Sequence, residues 1–135
     1  MSPRALLRFE GVAVSAAATA AYFTLGAPRW LLIVLALAPD LSMLGYLGGA
    51  RLGSRTYNAA HTYLGAIAIA ALGLLTATTP AVWVACVWAA HIGADRALGY
   101  GLKSPTGFKH THLSPGQAPV GPGPEPMVDP GSAVR

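Results

Sequence analysis

TYNAAHTYLGAIAIAALGLLTATTPAVWVACVWAAHIGA, residues 56–94, is a run of 39 residues without a formal charge, held between Arg55 and Asp95. A transmembrane helix needs about 20 mainly apolar residues. The run is long enough for two, with Thr76-Ala-Thr-Thr-Pro80 as the turn between them. Outward from it, Gly11 to Pro28 also carries no charge, and Trp30 to Leu47 is broken only by Pro39-Asp40. Barrel strands would be shorter and alternate with period two, which none of these runs does. The expected fold class is an all-α membrane protein, a bundle of four transmembrane helices at about 5–25, 29–47, 56–76 and 80–98. Residues 1–113 form one membrane domain, with 99–113 as a juxtamembrane segment. Of the 22 residues 114–135, six are Pro and four are Gly, so this part is expected to be a disordered tail.

Composition agrees. The chain is 53% hydrophobic and only 10% charged, against roughly a quarter charged in soluble domains. That excludes an ordinary soluble enzyme. The net charge of +4 is explained by topology. With the N-terminus inside, Arg4, Arg8, Arg51, Arg55, Arg96, Lys103, Lys109 and Arg135 all fall on the cytoplasmic side, and only Arg29 falls outside. Both termini are therefore expected in the cytoplasm, with the bilayer and its anionic headgroups as partners and no nucleic acid. Arg4 and Arg8 before an apolar run resemble a signal peptide, but Glu10 interrupts the run and the run is too long, so helix 1 is expected to be retained. Cys86, the only cysteine, reads as a packing residue. Gly45, Gly49 and Gly53 stand four apart, and helix 1 contains the small run Ser15–Ala21. Such residues allow close helix approach, within a compact bundle or in a homo-oligomer.

An Asp at mid-helix costs about 2.5 to 3.5 kcal/mol on insertion scales, so the ionisable residues within the spans need a reason. They are Glu10 in helix 1, Asp40 in helix 2, His61 in helix 3, and His91 with Asp95 in helix 4. Counted from the cytoplasmic ends at 1.5 Å per residue, all five fall within about one or two turns of a common plane. His91 and Asp95 are i, i+4 on one face. Tyr57 and Asn58 extend the stripe of His61, and Pro39 frees the carbonyl of Leu35, opening backbone beside a polar cavity. Arg96, next to Asp95, can snorkel or pair with Glu10.

Three readings suit this set. The first is a divalent metal, Zn, Mn or Fe, held by Asp40, His61, His91 and Asp95, with Glu10 as a base or as a residue that orients one of the ligands. Such a metal could activate water for hydrolysis. The second is a proton or ion relay, and the third a packed polar network whose members satisfy one another. In 99–113, Lys103, Lys109, Tyr100 and Phe108 make a basic-aromatic interfacial strip, from which His110 and His112 could reach back under the bundle.

Several segments carry a resemblance: LRFEG (7–11), LAPDLSMLGY (37–46), YNAAH (57–61), AHIGADRALGYGLK (90–103) and GFKHTHL (107–113). Together they resemble a small bacterial membrane-protein family catalogued as domain-of-unknown-function family 4260, over residues 6–113. The resemblance implies the class of protein and no reaction. More distantly, a Pro-Asp, a membrane His and a His-xxx-Asp helix are similar to membrane-bound metal-dependent hydrolases. The expected function is a metal-dependent hydrolase-like site near the cytoplasmic face. The alternative is a non-enzymatic proton, ion or small-molecule carrier, or a membrane subunit that packs against a larger partner.

Overall fold

A computed structural model of the chain describes residues 1–105 and, as backbone alone, 107–111. The described chain is helical except for one short hairpin. Helix α1 spans Pro3–Thr24, α2 Arg29–Ala36, a 3₁₀ segment Pro39–Gly48, α3 Ala50–Ala60, α4 Tyr63–Leu75 and α5 Thr79–Leu98. Strands β1 (Lys103–Ser104) and β2 (Gly107–Thr111) pair antiparallel, with Lys103 opposite Thr111. The residues expected to form a disordered tail lie outside the described part.

The first and last expected helices are found as single helices, and the two between them are broken. Ser2 caps α1, accepting the Ala5 N–H at 3.2 Å, with Pro3 in the first turn. The helix expected over 29–47 leaves α geometry after Ala36. Pro39 has no N–H to give the Leu35 carbonyl, which takes the Ala38 N–H at 3.0 Å instead. Bonds of the i→i+3 type then continue, Asp40 to Leu37 at 3.1 Å and Leu41 to Ala38 at 3.2 Å. Ten residues of 3₁₀ helix is long for a form that rarely exceeds about four. The helix expected over 56–76 begins at Ala50, stops at Ala60 and restarts at Tyr63, bent by 42°. The segment 99–103, read as part of an interfacial strip, leads into the hairpin.

Helix α5 is the centre of the fold, packing against α1, α4 and α2, while the 3₁₀ segment packs on α3. Tyr22, Ala27 and Val87 form the buried apolar core, flanked by Leu31, Leu32, Leu35, Trp83 and Cys86. The α1–α2 turn is tied to this core: the Tyr22 hydroxyl donates to the Pro28 carbonyl at 2.7 Å, and Trp83 Nε1 to that of Leu25 at 3.3 Å. At the opposite end Arg8 donates to the Ala97 carbonyl at 3.0 Å and the Leu98 carbonyl at 3.1 Å. A cation there also favours the negative end of the α5 dipole. The glycine series is used inside the chain. A side chain at Gly45 would meet Thr56, one at Gly53 would meet the Tyr46 ring, and Gly49 turns the backbone at φ +103°.

Large apolar side chains lie on the outside, among them Leu47 (88% exposed), Leu75 (86%), Ile33 and Leu64 (both 75%). One helical segment, Arg29–Gly48, is long and apolar enough to cross a membrane, and α3–α4 is a second if the bent pair is one span. Helices α1 and α5, which carry most of the charged residues of the helical part, fall short of that test.

Candidate metal centre

Both helix breaks deliver a side chain to the same point. Asp40 sits in the first turn of the 3₁₀ segment, directly after the buried Pro39. His61 is the residue at which α3 ends, with φ −104° and ψ 22°, and its backbone N–H closes the helix on the Tyr57 carbonyl at 2.9 Å. From the other side, α5 presents His91 and Asp95 one turn apart. The four donor atoms lie within 4.8 Å of one another.

Five of the six separations define the shape. His61 Nε2 is 3.3 Å from Asp40 Oδ1 and 3.6 Å from Asp95 Oδ2. His91 Nε2 is 3.5 Å from Asp40 Oδ1, 3.7 Å from Asp95 Oδ2 and 3.3 Å from His61 Nε2. The sixth pair, Asp40 with Asp95, lies within 4.8 Å, so a point equidistant from the four atoms would be about 2.0–2.4 Å from each, close to the Zn–N and Zn–O bonds of about 2.0–2.2 Å.

The tautomer of His61 follows from its other nitrogen. Nδ1 lies 2.9 Å from the Tyr57 carbonyl, which can only accept, so Nδ1 carries the proton. In the neutral ring, Nε2 then presents a lone pair to two carboxylate oxygens and a second imidazole. A ring nitrogen donating to a backbone carbonyl while its partner faces inward is the arrangement that orients histidine ligands. The four atoms can serve as a ligand set for a cation, and a divalent one would balance the two carboxylates; without one, a proton on His91 Nε2 would hydrogen-bond to the acceptors around it. Mixed imidazole and carboxylate donors are a set that Zn, Mn or Fe accepts.

The surroundings fix these side chains. The Tyr57 ring stacks on His61 at 3.7 Å between centroids, nearly parallel, and its hydroxyl donates to Asp95 Oδ2 at 3.3 Å. Trp88 Nε1 donates to the Ala60 carbonyl at 2.7 Å, and Arg96 to the His61 carbonyl at 3.4 Å, so α5 caps the end of α3. Lys103 reaches over Tyr57, its ammonium 5.1 Å from the ring centroid. Burial lowers the Lys103 pKa, and the negative charge of Asp95 works against that shift. His61 is almost fully enclosed, with 4% of its side chain exposed, while Asp40 is 38% exposed. The centre is therefore accessible along the Asp40 edge.

Of the residues singled out in the sequence, Asp40, His61, His91 and Asp95 come together, with Tyr57 and Arg96 beside them. Glu10 does not join them: it stands exposed on α1. Asn58 turns to the hairpin, its amide donating to the Lys103 carbonyl at 2.9 Å and accepting the Lys103 N–H at 2.7 Å. His112 lies outside the described residues, as does the side chain of His110. The sequence reading missed Trp88 and the contact of Lys103 with Tyr57. Trp88 precedes His91 by three residues and so shares its face, a signal that was present.

Fold and site define a helical protein with a His₂Asp₂ cluster built where two helices break. The chain belongs to the family described as Domain of unknown function (DUF4260), whose family model matches residues 4–115. No curated protein and no solved structure matches it.

Proposed function

We propose that the protein is a polytopic inner-membrane protein of four crossings, with both termini in the cytoplasm and a zinc centre that acts as a metal-dependent hydrolase. The convergence of Asp40, His61, His91 and Asp95 within 4.8 Å carries this reading. Lengths support the crossings. At 1.5 Å per residue, α1 and α5 are about 33 and 30 Å long, against a hydrocarbon core of about 30 Å. Helix α2 with its 3₁₀ continuation is comparable, at about 12 Å plus 20 Å. The bent pair α3–α4 would be the remaining crossing. The exposed leucines and isoleucines would face lipid, since soluble monomers rarely expose large contiguous apolar surface. Helices that break where they supply a polar site are tolerated at membrane depth because the freed backbone lies against protein.

A zinc ion held there would lower the pKa of a water taken up as a fifth ligand, and the open Asp40 edge would admit that water and a membrane-proximal substrate. One observation favours a second reading, an ion carrier: four protein ligands complete the tetrahedron, the pattern of closed sites rather than of catalytic ones.

Metal analysis of protein purified in mild detergent without chelators is expected to give one zinc per chain. Wild-type protein that stays metal-free even after incubation with zinc would overturn the centre. Topology is tested separately: alkaline phosphatase fused after residue 135 is expected to be inactive, and an active fusion would place the C-terminus in the periplasm.

A further inference from the structure

A second polar site lies on the neighbouring face of α3. Arg51, Ser54, Arg55 and Asn58 recur at i, i+3, i+4 and i+7, one helical stripe, and with Pro105 they line a cavity of about 320 Å³. The two guanidinium groups, four residues apart, repel across that face. Neither makes an ion pair among the described residues. The described acids offer them nothing, since Asp40 and Asp95 are turned into the metal centre and Glu10 stands on α1. Asn58 is pinned to Lys103 through its carbonyl and one N–H. An amide has two such hydrogens, so one remains for a ligand.

We propose that this cavity binds a phosphate group. Two guanidinium forks at i, i+4 fit the oxygens of one phosphate, and the added negative charge relieves their repulsion. Two of its lining residues flank Tyr57 along α3: Ser54 stands one turn before Tyr57, whose hydroxyl reaches Asp95, and Asn58 directly follows it. The phosphate can come from a lipid headgroup or from a soluble phosphate monoester, and both present the same chemistry. One extension rests on the hydrolase reading above: the substrate would then be a phosphate ester.

The protein is placed in phosphatidylcholine nanodiscs and titrated with inorganic phosphate by calorimetry. Phosphatidic acid retained by the protein is measured in parallel by native mass spectrometry. Arg51→Gln/Arg55→Gln is expected to weaken binding roughly tenfold or more, and Arg51→Lys/Arg55→Lys to fall between, keeping charge but losing the forks. Unchanged zinc content and melting temperature in these variants show that the fold survives. Binding of free phosphate identifies a soluble ligand, and retention of phosphatidic acid alone identifies a headgroup. Asp40→Asn is expected to lose zinc and keep phosphate binding, so failure of the metal centre and failure of the pocket are separable. If the wild type binds neither probe better than the Gln variant does, the pocket is refuted.

Discussion

His61→Ala is expected to lower zinc affinity by a factor on the order of a thousand or more, above the 10–100-fold typical of losing a residue that merely orients a ligand. Alanine removes one corner of the tetrahedron, and no other described His or carboxylate stands near enough to replace it. It also empties the face of Tyr57 on which the imidazole stacks. Tyr57→Phe is the graded comparison. It keeps the ring stack and removes only the hydroxyl 3.3 Å from Asp95 Oδ2, so a loss of about 10–100-fold is expected. Competition against a chelator of known affinity measures both. Metal ligands must be deprotonated to bind, so acidification is expected to release zinc and a return to neutral pH to restore it. Equal affinity in wild type and His61→Ala would show that zinc sits elsewhere.

Depth along the helices was legible in the sequence; direction around them was not. Counting residues from the ends expected to face the cytoplasm put Asp40, His61, His91 and Asp95 at one height, and the structure brings their donor atoms within 4.8 Å. The same count put Glu10 at that height, but height does not fix the face. The side of α1 that meets α5 is defined by Gly11 and Ser15, and Glu10, one residue before Gly11, is rotated about 100° from it. Pro39 announced the first helix break through its missing donor. The second break, at His61, has no proline or glycine beside it. It is held by tertiary bonds, from Trp88 to the Ala60 carbonyl and from Arg96 to the His61 carbonyl. Local propensity cannot report such partners. The hairpin was not expected: 99–113 reads as an interfacial strip, and although Pro105 and Gly107 are turn residues, β1 is pinned by the distant Asn58.

Gly93→Leu is expected to separate α1 from α5 and damage fold and metal centre together. A Cβ at Gly93 would fall 2.7 Å from the Ser15 nitrogen and 2.8 Å from the Gly11 carbonyl oxygen. Both are backbone atoms of α1, so no rotamer change relieves the clash and a helix must move. Gly11 is the reciprocal position, where a Cβ would come within 2.6 Å of the Gly93 oxygen. In a bilayer, helix association depends on this kind of close packing because lipid is as apolar as the side chains. Overpacking alone costs about 1–3 kcal/mol, and a leucine that pries two backbones apart belongs at or above the top of that range. Gly93 also lies between His91 and Asp95 on α5, so displacement of that helix carries two ligands away from Asp40 and His61 as a pair. The expected result is a large fall in melting temperature, with zinc affinity falling alongside it. Gly65→Ala is the control: no atom lies within 4 Å of a Cβ built at Gly65, and alanine favours helix by about 1 kcal/mol. Its melting temperature is expected to hold or rise. A Gly93→Leu protein as stable as Gly65→Ala would show that α1 and α5 do not meet at their glycines.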